Sequence, residues 1–162
     1  MSTFVNEERL SQSIRLPDGR RLGYDEYGDL SGMPLFIFHG WPSTRLAASL
    51  MGEVASQRAV RLIAPDRPGI GLSDFQPGRA ILDWPGDVVA LADALGIKRF
   101  AVVGISGGGP YAAACAFKIP ARLSAASIVS GMAPFEMPGA AQMLSRRNRL
   151  FLPLAQRAPS LL

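Results

Sequence analysis

The chain has 162 residues, of which 48% are hydrophobic and 19% are charged, and this composition fits one globular domain rather than a disordered chain. Its net charge of +4 does not indicate a nucleic-acid partner, because the basic excess is confined to the end of the chain. From residue 118 onward the chain has six lysines and arginines and one acidic residue. Phe151 is the one aromatic residue interspersed with these arginines, whereas base stacking in a nucleic-acid site would need more.

The sequence also argues against secretion and against a membrane span. The first residues include Glu7 and Glu8, where a secretion signal would be basic and then apolar. The longest uncharged run, residues 100–117, contains four glycines and a proline and is too short to cross a bilayer. Cys115 is the one cysteine, so no internal disulfide can form, and we expect a buried, inert thiol. These features predict a cytoplasmic protein.

Strand-like segments recur along the first 131 residues. Residues 11–16 and 20–27 flank the turn-forming sequence Pro17-Asp18-Gly19 and predict a β-hairpin. Four short, almost wholly apolar runs follow, and such runs are typical of strands buried on both faces of a parallel sheet. These runs are residues 35–38, 60–64, 100–103 and 123–129.

Helical patterns alternate with these strands. We predict helices at residues 44–57 and 110–118, and between them a helix with Asp83 as its N-cap, Pro85 in its first turn and Gly96 at its end. The apolar residues of this middle helix fall on one face; they are Val88, Leu91, Ala92 and Leu95. Strands and helices that alternate with short connections predict an α/β fold, with a predominantly parallel sheet and helices on both faces.

The sequence changes character after residue 131. Residues 1–131 carry the strand and helix pattern, whereas residues 137–162 contain three prolines, scattered apolar residues and arginines. We predict one or two short surface helices there. The boundary between a core and a second segment is therefore placed at residues 131 and 132.

One motif carries chemistry: the segment 104–108, Gly-Ile-Ser-Gly-Gly, matches G-x-S-x-G between an apolar strand and a helix. A sharp strand-to-helix turn pushes Ser106 outward, and the flanking Gly104 and Gly108 are needed because a Cβ atom would collide with the neighbouring strand and helix. The free N–H groups and the positive end of the following helix would face the reacting centre. Ser106 is the candidate nucleophile.

Two other interpretations of this segment stay open. Residues 107–112 also fit the loose dinucleotide pattern G-x-G-x-x-A, but no acidic residue lies about twenty positions further on, where such a site needs one. The segment could also be a purely structural glycine turn, which would leave the serine unexplained. Both alternatives are less favoured than the nucleophile.

Two backbone amides are candidates for an oxyanion hole. Attack by a serine builds negative charge on a carbonyl oxygen, which needs donors already in place. One donor is the N–H of Gly107, directly after Ser106, and the other should come from a loop after an earlier strand. His39-Gly40-Trp41-Pro42 follows the run 35–38, and because Pro42 has no N–H, Trp41 is predicted to be the second donor.

With these motifs the chain resembles the α/β-hydrolase superfamily, and in particular its esterase- and lipase-type members with an H-G-x-P oxyanion loop. Residues 66–73, Asp-Arg-Pro-Gly-Ile-Gly-Leu-Ser, are similar to the family's D-x-x-G-x-G-x-S loop, for which we favour a structural turn over a catalytic role. The resemblance covers about residues 12–131 and implies that residues 132–162 begin a lid.

The resemblance also implies a function. It implies a serine hydrolase that cleaves small carboxylic esters or related acyl compounds through an acyl-enzyme, with no metal and no organic cofactor. Ser106 would be the nucleophile, and Trp41 and Gly107 would hold the oxyanion. Peptidase, carbon–carbon hydrolase and perhydrolase chemistry on the same fold stay open, because a fold does not fix its function.

The chain departs from the family pattern after Ser106. The family's acid and histidine follow the nucleophile, but here no aspartate and no histidine follow it, and Glu136 is the one glutamate that does. His39 is expected to brace the oxyanion loop rather than act as the base. We therefore predict that this chain alone hydrolyses esters at or near the background rate.

The missing strands of the family fold have a structural consequence. Without them residues 123–129 would form an open sheet edge, to which a second chain or a second copy could pair. A truncated gene product, a fragment and one half of a two-chain enzyme all fit this pattern. A non-catalytic module that binds a ligand or a partner is the alternative function.

Overall fold

The computed structural model describes residues 9–132, 139 and 142, and the strands among them form one six-stranded sheet. In space the strands follow the order β1-β2-β4-β3-β5-β6. Their bounds along the chain are β1 Gln12–Arg15, β2 Arg21–Gly28, β3 Met33–Phe38, β4 Val60–Pro65, β5 Phe100–Ile105 and β6 Leu123–Val129.

The pairing directions confirm the predicted fold class. Strands β4, β3, β5 and β6 are mutually parallel, whereas β2 runs antiparallel to both β1 and β4. The predicted hairpin is formed by β1 and β2, and Gly19 closes its turn with a φ of +87°, which favours glycine. The carboxyl ends of β3, β4 and β5 consequently lie at the same edge of the sheet.

Helices cover both faces of the sheet. The α-helices are α1 Gly52–Gln57, α2 Trp84–Ala94 and α3 Gly109–Lys118. In β3, Phe36 and Phe38 pack in the core that contains α2 and α3, whereas Ile37, between them, packs in the core on the α1 side. This alternation follows from the two-residue period of a strand and places an apolar layer on each side of the sheet.

The predicted helix over residues 44–57 is correct only in its second half. Residues Arg45–Met51 form a 3₁₀ helix, and α1 begins at Gly52. Thr44 caps the 3₁₀ segment by accepting a hydrogen bond from the amide of Leu46 at 3.3 Å. Arg45 is anchored to residues that are distant in sequence, as described below, and such an anchor leaves no trace in the helical periodicity.

Helix α2 follows its predicted pattern. Val88, Leu91 and Ala92 are fully buried, and Gly96 ends the helix with a φ of +71°. Asp83 precedes the helix as expected, but its carboxylate accepts the amide of Ala80 at 2.8 Å rather than an amide of α2. In α3, Cys115 is free and fully buried, and burial raises the pKa of its thiol to about 12.

The chain divides into two compact units, Met1–Met132 and Ala133–Leu162. The interpretation of residues 132–162 as the start of a lid stays a prediction, because nearly all of that segment, including Glu136, lies outside the described residues. The same holds for the short helices predicted over residues 137–162. Within the described part of the chain no helix has the length and apolarity required to cross a membrane.

Candidate active site

Ser106 lies at a sharp turn between β5 and α3. Its φ is +50°, in the left-handed region that residues with a side chain rarely adopt, and its side chain is partly exposed. This conformation costs roughly 1–2 kcal/mol for a residue with a Cβ atom. Strain of this kind is concentrated at functional sites, where the surrounding structure maintains it.

The flanking glycines make this turn sterically possible. A Cβ atom on Gly104 would overlap the backbone carbonyl of Gly108, and one on Gly108 would overlap the carbonyl oxygen of Phe38 in β3. The collisions expected from the sequence are therefore present, one with the turn into the helix and the other with the neighbouring strand.

The loop after β3 lies beside this turn, because β3 and β5 are parallel neighbours. A Cβ atom placed on Gly40 would lie 3.2 Å from Cβ and 3.7 Å from Oγ of Ser106. A Cβ atom placed on Gly107 would lie 3.4 Å from the backbone nitrogen of Trp41. The structure thus brings together Ser106, Trp41 and Gly107, the three residues that the motifs single out.

His39 is buried beneath this loop and is held on both ring nitrogens. Its Nε2 lies 3.4 Å from the backbone N–H of Arg67, which can only donate, so Nε2 accepts. Its Nδ1 lies 2.9 Å from the carbonyl oxygen of Gly40 and must therefore carry the proton. Burial lowers the pKa of His39 by more than its hydrogen bond to Gly40 raises it, and the charge of Arg67 lowers it further, so the ring is kept neutral.

Arg67 is a buried residue that sequence reasoning did not single out. Its Nη2 donates to the carbonyl of Gly40 at 2.9 Å, and its Nη1 lies 3.5 Å from the carbonyl of Gly107. Its Cζ lies 5.0 Å from the ring centroid of Tyr111. Arg67 follows Asp66 at the carboxyl end of β4, and this position in the sequence could have marked it as a candidate functional residue.

A second buried cluster joins Arg45 to Asp25 and Asp66. Arg45 donates from Nε to Asp25 at 2.9 Å and from Nη1 to Asp66 at 2.8 Å, and its backbone amide also donates to Asp66 at 2.8 Å. Asp66 accepts the amide of Leu72 as well, at 2.9 Å. Burial acts to lower the pKa of Arg45, but the hydrogen bonds to both carboxylates outweigh burial and raise it.

This cluster connects three parts of the fold. Asp25 lies in β2, Asp66 follows β4, and Arg45 begins the 3₁₀ segment after the loop over residues 39–42. Both carboxylates are completely buried, and the space beside Asp66 leaves no room for a Cβ atom on Gly71. The loop over residues 66–73 is thus built around a buried carboxylate, in agreement with the structural role favoured for it.

A cleft of about 230 Å³ opens beside the loop over residues 39–42 on the α1 face of the sheet. Its lining is mostly apolar and includes Ile37, Trp41, Met51, Ala64 and Ile105. Ser106 does not line the cleft, although its neighbour Ile105 does. In the described part of the chain no three His, Cys, Asp or Glu residues converge in a way that could hold a metal ion.

The α/β-hydrolase fold family model matches residues 33–157, which is most of the chain. The chain therefore belongs to the α/β-hydrolase family, as its topology and its strand-to-helix turn indicated.

Individual relatives agree with this assignment. The chain is similar to a non-heme chloroperoxidase from Streptomyces lividans, with 33% identity over 125 residues, which is 75% of this chain and 45% of that protein. It is also similar to 2-hydroxymuconate semialdehyde hydrolase from Pseudomonas sp. strain CF600, with 38% identity over 104 residues, covering 57% of this chain and 34% of that protein.

A solved structure is similar as well. A thermophilic esterase from Thermogutta terrifontis superposes with a TM-score of 0.70 at 26% identity, covering 93% of this chain and 56% of that one. The chain spans less than half the length of the two curated relatives.

Proposed function

We propose that this chain carries the nucleophile and the oxyanion donors of a serine hydrolase that cleaves small carboxylic esters or related acyl compounds. The observation that carries the proposal is the left-handed backbone of Ser106 at the end of β5, beside the loop that contains Trp41. A strained serine next to two backbone amides is the arrangement that acyl transfer requires.

In the proposed reaction Ser106 passes its proton to a base, and its Oγ attacks the carbonyl carbon of the ester. The tetrahedral oxyanion accepts hydrogen bonds from the N–H groups of Trp41 and Gly107, the alcohol departs with the proton that the base returns to it, and the acyl group stays on Ser106. Water then attacks the acyl-enzyme and releases the acid. The proposed reaction uses no metal and no organic cofactor. We also propose that the protein is cytoplasmic, as the sequence predicts.

The proton of Ser106 needs a base, and we infer that His39 does not serve as one. Its Nδ1–H is engaged with the carbonyl of Gly40, and its Nε2 with the amide of Arg67. No histidine follows Ser106 in the 162 residues. We therefore expect this chain alone to hydrolyse esters at or near the background rate, because a serine hydroxyl without an adjacent base is a weak nucleophile.

A fluorophosphonate probe with added imidazole tests the nucleophile. Imidazole supplies a soluble base, so it should speed the labelling of Ser106 in the pure 162-residue protein, and mass spectrometry of peptides should place the label on that residue. The matched control is Ser106→Ala, which also corrects for any direct reaction of imidazole with the probe.

Three outcomes are informative. Labelling of Ser106 that rises with imidazole supports the proposal. Equal labelling of the wild type and Ser106→Ala contradicts it and favours a non-catalytic binding module. A robust Ser106-dependent hydrolysis of a p-nitrophenyl ester without imidazole contradicts the expected inactivity of the chain but supports the nucleophile.

The second part of the proposal concerns the sheet edge. Strand β6 is last in the sheet order, and among the described residues no strand pairs with its outer side. Ile128 and Val129 are about half exposed there. We infer that β6 pairs with a strand of a second chain or of a second copy. Sedimentation velocity over a range of concentrations tests self-association, and a monomer at every concentration would exclude a second copy.

A further inference from the structure

The carbonyl groups behind the two candidate oxyanion donors are both held by hydrogen bonds. The carbonyl of Gly40 belongs to the same peptide unit as the N–H of Trp41, and it accepts from Nδ1 of His39 at 2.9 Å and from Nη2 of Arg67 at 2.9 Å. The carbonyl of Ser106 belongs to the peptide unit of the Gly107 N–H, and it accepts from the amide of Met132 at 3.2 Å.

A trans peptide unit is planar, and its C=O and N–H point in opposite directions. A donor that fixes the carbonyl on one side therefore fixes the direction of the N–H on the other side. Because Arg67 lies on the carbonyl side of the Gly40–Trp41 unit, the Trp41 N–H points away from the guanidinium. A bond from a cation also polarises the peptide unit and strengthens its N–H as a donor.

The cost of burying Arg67 indicates that it does more than fill space. Its side chain is nearly fully buried, and among the described residues no carboxylate forms an ion pair with it. Its Nε is buried without a hydrogen-bond partner in the same part of the chain. Buried charges are normally paired, whereas among the described residues this guanidinium contacts two carbonyls, the imidazole of His39 and the ring of Tyr111.

We propose that Arg67 is a positioning residue of the oxyanion hole, which holds the carbonyl of Gly40 so that the Trp41 N–H is directed toward the oxyanion formed at Ser106. This inference rests on the proposed function. Arg67 touches neither the ester nor Ser106; it acts through the Gly40–Trp41 peptide unit. Arg67 also contacts the carbonyl of Gly107, at 3.5 Å, in the turn before α3. It thereby links this turn to the oxyanion loop and maintains the spacing of the Trp41 and Gly107 N–H groups.

Phenylboronic acid provides a test that does not depend on turnover. Ser106 Oγ adds to the boron, its proton passes to the buffer, and the tetrahedral boronate carries the negative charge that the oxyanion hole would bind. Arg67→Met should weaken the Ser106-dependent binding of this probe by about 10²-fold, as expected when one oxyanion donor is lost. Arg67→Lys should recover only part of the affinity, because an ammonium lacks the planar fork that spans two carbonyls.

A matched control separates positioning from general destabilisation. Arg20 is another largely buried arginine; it forms a bidentate pair with Asp87 and ties the hairpin to α2. Arg20→Met should lower the stability but leave boronate binding unchanged at a matched folded fraction. Wild-type affinity in Arg67→Met at a matched folded fraction would overturn the inference.

A second measurement reads the peptide unit directly. In protein labelled with ¹³C at glycine carbonyls, Arg67→Met should move the Gly40 carbonyl resonance upfield, and Arg20→Met should not move it. An unchanged resonance in Arg67→Met would overturn the Arg67–Gly40 contact. If wild-type protein binds phenylboronate no better than Ser106→Ala, the proposed function fails and the oxyanion role of Arg67 fails with it, whereas the carbonyl shift still decides the contact.

Discussion

A Cβ atom on Gly108 would overlap the carbonyl oxygen of Phe38, so β3 approaches the turn before α3 as closely as a glycine allows. This contact ties the strand that precedes the loop over residues 39–42 to the turn that carries Ser106. The separation of the candidate donors, Trp41 and Gly107, depends on it. The distance between the two loops is thus set by backbone packing.

This close approach predicts that Gly108→Ala destabilises the protein by about 3 kcal/mol or more, because the obstacle is backbone and cannot rotate away. Gly86→Ala is the matched control, since Gly86 lies exposed in α2 and its Cβ atom would meet nothing within 4 Å. That change should stabilise the protein by about 0.5–1 kcal/mol. Urea unfolding measures both, and equal effects of the two substitutions would contradict the packing described.

The left-handed backbone of Ser106 predicts that glycine at this position gives a more stable protein than alanine. Ser106→Gly should raise the free energy of unfolding by about 1 kcal/mol relative to Ser106→Ala, because glycine adopts a φ of +50° without strain and alanine does not. Both variants lose the hydroxyl, so their difference isolates the backbone. Thermal or urea unfolding of the pair provides the measurement, and identical stabilities would exclude a strained turn.

The buried cluster of Arg45, Asp25 and Asp66 predicts a large loss of stability when one carboxylate is replaced by an amide. Asp66→Asn keeps the shape of the side chain but removes one of the two carboxylates around Arg45, and breaking such a buried pair costs about 3–5 kcal/mol. This is a large fraction of the roughly 5–15 kcal/mol that stabilises a domain.

An exposed ion pair provides the comparison for this cluster. Asp93 pairs with Arg122 at the surface, with 61% of the aspartate side chain exposed. Asp93→Asn should therefore cost no more than about 1 kcal/mol. A similar cost for Asp93→Asn and Asp66→Asn in urea unfolding would show that the buried cluster is not a structural anchor.

Burial of His39 predicts a pH dependence of stability with a definite sign. Burial, reinforced by the charge of Arg67, lowers the folded-state pKa below 6.5, so the unfolded chain binds the proton more readily than the folded one. Stability is therefore complete above pH 6.5 and falls as the pH drops toward the folded-state pKa, by at most about 1.4 kcal/mol per pH unit.

The histidine contribution is measured as a difference between two proteins. Urea unfolding from about pH 7.5 to about pH 5.5, above the range in which most carboxylates titrate, should show a steeper loss for the wild type than for His39→Asn. Because His39 is the one histidine, its ring resonances also report its pKa directly. A ring pKa above 6.5 would contradict the neutral, bracing role.

Much of the fold could be predicted because it is encoded locally. The apolar runs at residues 35–38, 60–64, 100–103 and 123–129 each contain or lie within an observed strand. The helical spacing of its apolar residues identified the buried face of α2, and Gly96 identified the end of that helix. Ser106 and Trp41 were indicated by two short motifs, each of which directly follows an apolar run. Because the strands formed by these runs, β5 and β3, are parallel neighbours, the two loops lie at the same edge of the sheet.

The sequence by itself therefore determined the strands, the helices α2 and α3 and the fold class, and its motifs singled out Ser106, Trp41 and Gly107. Only the tertiary structure decided that β4 lies between β2 and β3, that Arg45 reaches Asp25 and Asp66, and that Arg67 holds the carbonyl of Gly40. Local patterns follow from the period of a helix or strand and the conformational limits of glycine and proline. Hydrogen bonds between residues that are 20 to 27 positions apart have no period, so they appear only when the packed sheet brings the partners together.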